Sequence, residues 1–261
     1  MSSRARALAV CTALVLALLV AAAFAPLPYS IAYPGMTANV LGDDKGKPVI
    51  TITGAATRKT SGQLRMTSIV ATGPDASVHL PDMIKGWFRT DEAVMPREAV
   101  YPVGNNTEEI AEHNAQQMRE SQNTATSAAL GAVGKSAKDI KVKLSLADVG
   151  GPSAGLMFAL GIVDKLNGNG AGKDLTGGRT IAGTGTITAD GAVGAVGGVP
   201  LKTQAAHRDG ASVFLVPRKE CTDAQAELPK GMRLIPVTTL DGAVQALKAL
   251  QTGGKVPSCG G

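Results

Sequence analysis

Asp148-Val149-Gly150-Gly151-Pro152-Ser153-Ala154-Gly155, followed directly by the apolar run Leu156 to Leu166, is the stretch on which the reading of this chain turns. Proline suits the first turn of a helix, where its missing N–H costs nothing, so the stretch predicts a helix that begins at the serine. Leu156, Ala159, Leu160, Val163 and Leu166 recur at helical spacing and predict one buried face. A helix start leaves backbone N–H groups unpaired and carries positive partial charge. Glycines beside Ser153 let a substrate backbone approach without meeting a Cβ. The backbone at Gly150, Gly151, Ser153 and Ala154 is therefore the candidate for holding a substrate and its oxyanion, with the Ser153 hydroxyl as nucleophile. Two plainer readings stand beside this one. Serine before a helix is often only a cap, and Gly151-x-Ser153-x-Gly155 also fits the nucleophile elbow of α/β-hydrolases. An elbow follows straight on from a buried strand and needs a downstream histidine. Here Ala147 to Gly151 intervene, and His207, in a helical and exposed-looking segment, is the only histidine after Ser153.

A second stretch, Gly197-Gly198-Val199-Pro200-Leu201-Lys202, puts a lysine at the start of another short helix, and Ala182-Gly183-Thr184-Gly185-Thr186-Ile187-Thr188 precedes it. The three blocks together resemble the proteolytic domain of the Lon family. The family's GPSAG matches at 151–155, its TG-x-IT at 184–188 and its GG-x-x-x-K at 197–202. Met118-Arg119-Glu120-Ser121 resembles the MKES helix of the same domains, so the resemblance covers most of the chain after residue 48. It implies a serine endopeptidase with Ser153 as nucleophile, Lys202 as base and Thr184 as an auxiliary hydroxyl that orients the lysine amine. It also implies protein or peptide substrates, expected to be flexible or already unfolded because no unfoldase module is readable, and a homo-oligomer, by resemblance a hexameric ring. Two departures are visible. Many members carry an acid where this chain has Gly150, with Asp148 two residues upstream. Membrane-anchored relatives often carry a PDZ module near the connector Gly131 to Asp139, which has no room for one.

The chemistry asks something specific of Lys202. Serine is a poor nucleophile until a base takes its proton. An exposed lysine, with a pKa of about 10.4, is protonated at neutral pH. Bringing it to about 7–8 means destabilising the ammonium by roughly 4 kcal/mol, which requires burial without a carboxylate partner. Val196, Val199, Pro200 and Leu201 supply an apolar wall, and no acidic residue lies between Ala192 and Ala206. Two other functions use the same features: a membrane-tethered peptide-binding protein that does no chemistry, and an esterase using the same serine. Gly172-Lys173 lacks the surrounding Walker pattern, so no ATP site is readable. Three histidines and three cysteines without ligand spacing give no metal site, and no cofactor is expected.

Outside these blocks the chain has 261 residues, a net charge of +5 from scattered basic residues, and 32 glycines. Scattered charge argues against a nucleic-acid partner. Residues 7–25 carry no charge and are about long enough to span a bilayer, with Arg4 and Arg6 before them. That asymmetry favours a single-pass anchor in the cell membrane with the body extracytoplasmic. A cleaved signal peptide competes through Ala23-Phe24-Ala25, but Pro26 follows at once and hinders cleavage. The expected organisation is an anchor at 1–25, a linker at 26–47 with Tyr29 and Tyr33 at the membrane surface, a proteolytic domain at 48–250 and a tail at 251–261. Strands are expected from residue 49, at 62–70, 140–147, 180–188, 211–216 and 232–237, and helices at 81–88, 106–130 and near 240–247. Trp87, the only tryptophan, is expected in the core. Strands and helices alternate without a strict βαβ rhythm, so the fold class is α+β, mixed α/β. Cys221 and Cys259 are expected to form a disulfide outside the cell, tying down a tail that would otherwise fray.

Overall fold

The structure, a computed structural model, describes residues 2–104, 106–146 and 151–260. It opens with helix α1 (Ser3–Phe24), none of whose residues is buried and whose N-terminus is capped by the Ser2 side chain. Twenty-two residues at ~1.5 Å each give ~33 Å, close to the thickness of a bilayer's hydrocarbon core. By length and composition α1 can cross a membrane.

After α1 the chain runs through β1 (Tyr29–Asn39), the short pair β2 (Asp43–Asp44) and β3 (Lys47–Pro48), β4 (Ile50–Thr53) and β5 (Gln63–Ala71). There follow α2 (Leu80–Trp87), β6 (Ala93–Pro96), α3 (Arg97–Val100), α4 (Thr107–Ala132) and β7 (Lys141–Leu144). The remainder comprises α5 (Gly155–Leu166), β8 (Thr180–Gly183), β9 (Thr186–Ile187), β10 (Val193–Gly194), α6 (Val199–Arg208), β11 (Val213–Pro217), α7 (Cys221–Ala226), β12 (Arg233–Val237) and α8 (Leu240–Thr252). Six strands form one mixed sheet in the order β12-β11-β8-β5-β1-β6. Its first four strands are mutually parallel, whereas β1 runs antiparallel to both β5 and β6. The mixed α/β class read from the sequence is the class observed.

The stretch expected as a linker, 26–47, is instead largely β1, paired on both edges inside the main sheet. Pro34 and Gly35 hid it. The register breaks between Pro34 and Thr37, so the proline falls at an irregularity where a ladder N–H is dispensable. A Cβ on Gly35 would come within 2.7 Å of the Ser68 backbone on β5, so the close approach requires glycine. Tyr29 and Tyr33 are half-buried and pack on the small cluster of Ile31, Val78 and Met83.

At the centre lies α5, in which every residue from Gly155 to Asp164 is buried. The sequence predicted one buried face. Met157, Phe158 and Ile162, off that face, are equally enclosed, because α5 packs on α4, α8 and the sheet together. Fully burying an aliphatic or aromatic side chain stabilises by about 1.5–3 kcal/mol as an upper estimate, so packing rather than capping fixes where α5 sits. Its N-terminus is the serine turn.

One other departure concerns the periphery. On α2, Met83 is buried, but Trp87 is 68% exposed and Phe88 86%. The tryptophan is not in the core. The Gly/Asn-rich segment after α5 is firmly held: the Arg58 guanidinium donates to the carbonyls of Asn167, Gly172 and Lys173, and Asp174 accepts from the Ser61 N–H and hydroxyl. Cys221 and Cys259 stand at disulfide distance, with Cα atoms 5.3 Å apart, and Val256 between them and α8 is buried in the main core.

Candidate active site

Ser153 occupies a single 3-10 turn, Pro152–Ala154, that runs into α5. Gly151 precedes it at φ +84°, a conformation that costs an L side chain about 1 kcal/mol or more. Gly155 follows it for a different reason. A Cβ there would lie 3.0 Å from both Ile187 Cγ2 and Ser121 Oγ, so the space is already taken. The G-x-S-x-G pattern therefore encodes one conformational and one steric requirement.

Neighbouring elements hold this turn by several hydrogen bonds. Ser121 on α4, the serine of the MRES segment, donates to the Pro152 carbonyl at 3.0 Å. The Gly151 N–H donates to the Asn114 carbonyl, also on α4, at 3.2 Å. The Gly185 N–H donates to the Ser153 carbonyl at 2.9 Å, and the Leu156 N–H returns a bond to Gly185 at 3.1 Å. The Ser153 side chain stays partly accessible while Ala154 is buried. Because Gly151's N–H is engaged with Asn114, the described N–H groups left to consider for an oxyanion are those of Ser153 and Ala154. Gly150 and Asp148 lie outside the described residues.

Lys202 enters from α6, whose N-cap Gly198 is in the left-handed region at φ +69°; a Cβ there would come within 2.9 Å of Ile69 Cγ2. Val199, Leu201, Thr203, Ala205 and Ala206 are all buried, and α6 lies against β1 and β5. Lys202 itself is 3% exposed. Burial pushes its amine down from 10.5 to about 8, with Glu220, brought near by the turn after β11, partly opposing the shift. The apolar wall is the one the sequence suggested. Glu220 is not, since it stands 18 residues downstream and no local pattern marks it.

Thr184 joins the two stretches. The Lys202 Nζ donates to Thr184 Oγ1 at 3.1 Å, and that hydroxyl donates to the Ser153 carbonyl at 3.2 Å. Thr184 is fully buried just past β8, with its single proton on the Ser153 carbonyl and one lone pair on the Lys202 amine. A neutral lysine amine has one lone pair, and a donor bond to Thr184 fixes where that pair can point. A cleft of about 380 Å³ opens on this side, lined by Lys202, Pro152, Asn114, Ile69, Met95 and Val100 among others. Apart from the lysine, its lining among the described residues carries no charged side chain, which suits an uncharged segment of polypeptide. His207 lies exposed at the end of α6, as an α/β-hydrolase base would not.

Residues 87–250 match the family profile of the Lon protease C-terminal proteolytic domain. Among individual proteins, this chain is 35% identical over 106 residues to the Lon protease of Chloroflexus aggregans, covering 39% of this chain and 12% of that protein. It is 36% identical over 99 residues to the Lon protease of Campylobacter concisus, covering 36% and 12%. It is 42% identical over 83 residues to that of Clostridioides difficile, covering 32% and 10%. The similarity thus spans about an eighth or less of these much longer relatives.

Proposed function

The chain belongs to the Lon protease family, and from that premise we propose that it is a membrane-anchored serine endopeptidase working through Ser153 and Lys202. The observation that carries the reading is the buried lysine. A fully enclosed amine lowered to about 8 and bonded to Thr184 has little structural use, since desolvating it destabilises the fold. As a general base it has a direct one. The neutral Lys202 amine takes the Ser153 hydroxyl proton as Oγ bonds the scissile carbonyl carbon. The resulting ammonium gives that proton to the leaving amine as the C–N bond breaks, and water then releases the acyl group by the same route reversed. Backbone N–H groups of the serine turn hold the oxyanion.

A cleft whose described lining bears no charge other than Lys202 supports flexible or unfolded polypeptide segments as substrates. The unburied α1, with Arg4 and Arg6 at its start, supports a single-pass anchor with the body outside the cytoplasm, and the Cys221–Cys259 pair fits an oxidising compartment. On this reading the proteolytic unit extends from β1 rather than from residue 48, and the tail belongs to it. The test is labelling by a fluorophosphonate probe together with hydrolysis of an unstructured peptide, in detergent-purified wild type, Ser153→Ala and Lys202→Ala. Both variants should lose labelling and hydrolysis by several orders of magnitude while remaining folded. Full hydrolysis in either would reject the pair, and hydrolysis of esters alone would favour an esterase.

A further inference from the structure

We propose that α2 is an interfacial helix that lies in the surface of the same bilayer that α1 crosses, with Ile84, Trp87 and Phe88 inserted among the lipid headgroups and upper acyl chains. The proposal rests on the reading of α1 as a membrane anchor. Leu80, Ile84, Trp87 and Phe88 stand at i, i+4, i+7 and i+8, so they share one helical face. They are 37%, 45%, 68% and 86% exposed, while the flank next to them turns inward: Met83 is buried, and a Cβ on Gly86 would come within 2.9 Å of Val94 Cγ2 on β6. The placement is thus a choice between faces, and the larger apolar side chains are on the outside. Of the four phenylalanines, Phe158 and Phe214 are fully buried; the exposed two, Phe24 and Phe88, sit on α1 and just past α2.

Position identifies what covers the face. The Leu27 N–H donates to the Val78 carbonyl at 2.8 Å, so the chain leaving α1 is tied to the residue before the His79 cap of α2. α1 and α2 are also in contact. An apolar stripe at the foot of a spanning helix meets the water–lipid boundary, where tryptophan is favoured and where an amphipathic helix gains by burying its face. Charge contributes little to this recognition. Arg89 is paired with Asp91 and Glu92, and Asp82 offsets Lys85. A zwitterionic phosphatidylcholine surface therefore suffices, and added salt leaves the docking unchanged. Between Trp87 and the turn that begins α6 lies a cleft of about 250 Å³ lined by Pro200 and Leu201, and Gln204 donates to the Thr90 carbonyl at 2.5 Å. Docking α2 accordingly sets the Lys202 helix close to the bilayer.

Trp87 is the only tryptophan, so the full chain carries its own probe. The full chain would be reconstituted into phosphatidylcholine vesicles, with co-flotation reporting anchoring and Trp87 emission reporting α2. Lipids brominated near the headgroup should quench Trp87 more than lipids brominated near the chain ends, aqueous iodide should quench it poorly, and neither should change with salt. In Ile84→Glu combined with Phe88→Glu, bromolipid quenching should be lost while hydrolysis of a soluble peptide is retained. Flotation with iodide-accessible, bromolipid-insensitive Trp87 would overturn the docking and leave the anchor standing. Iodide protection without bromolipid quenching, rising with protein density, would assign the face to a second copy instead. Failure to float would remove the anchor and the docking together.

Discussion

Lys202 titrates where the chemistry needs it to. In the proposed mechanism only the neutral amine accepts a proton from Ser153, and burial brings its pKa to about 8. Activity should climb with pH through about 8, with roughly a tenth of the enzyme in the reactive form at pH 7. The pH profile of kcat/KM checks this; a plateau already reached at pH 6 would exclude the lysine as base. Stability follows the same group. The folded amine, near 8, holds its proton less tightly than the unfolded one, near 10.5, so between those values the unfolded chain binds more protons and stability rises with pH. Below pH 8 the whole cost is present, on the order of 3 kcal/mol. Lys202→Met removes the charge while filling most of the space. It should be more stable than wild type at pH 7 by up to that amount, with the advantage gone above pH 10.5. Denaturant unfolding at the two pH values measures it, and equal stability at pH 7 would mean that the native amine is hydrated.

At the scale of elements, α4 acts on Ser153 from outside the family's best-marked blocks. Ser121→Ala would free the Pro152 carbonyl at a cost of about 1 kcal/mol in stability. Because that carbonyl belongs to the serine turn, fluorophosphonate labelling should slow by about tenfold, as a loss near 1.4 kcal/mol in the transition state implies. Unchanged labelling would show that Gly185, Thr184 and Asn114 hold the turn without Ser121. The sequence made α5, α4 and the two glycine blocks legible, because periodicity, the Asn106 cap and fixed short spacings are local signals. It misread elements whose assignment depends on distant partners. β1 lacks clean alternation and is a strand because β5 and β6 flank it. The spacing of Met83, Ile84 and Trp87 announces a helix without saying which side meets the protein, and tryptophan's size argued for the wrong one. Glu220 and Asn114 reach the site only through the turn after β11 and the docking of α4.

For the molecule as a whole, the segment after α8 is fastened rather than loose. α8 ends at Gly253 in the left-handed region, Val256 returns to the core, and Cys259 meets Cys221 across 38 residues. A loop of that length gives about 4 kcal/mol in the chain-entropy description. Cys259→Ser should lower the unfolding free energy by that order in non-reducing conditions and leave peptide hydrolysis unaltered. Denaturant midpoints with and without reductant test it; identical midpoints would mean that the bridge is absent from the purified protein. The exchange of bonds between Ser153, Leu156 and Gly185 has a wider consequence. Through it the Ser153 turn is stitched to the continuation of a central strand, so the described residues of the turn are tied to that strand. The Leu156 and Gly185 amides should exchange with deuterium only at the rate at which the entire domain opens. Loosening the Ser153 turn on this side would then require breaking the bonds to Gly185, and with them the end of a strand in the main sheet.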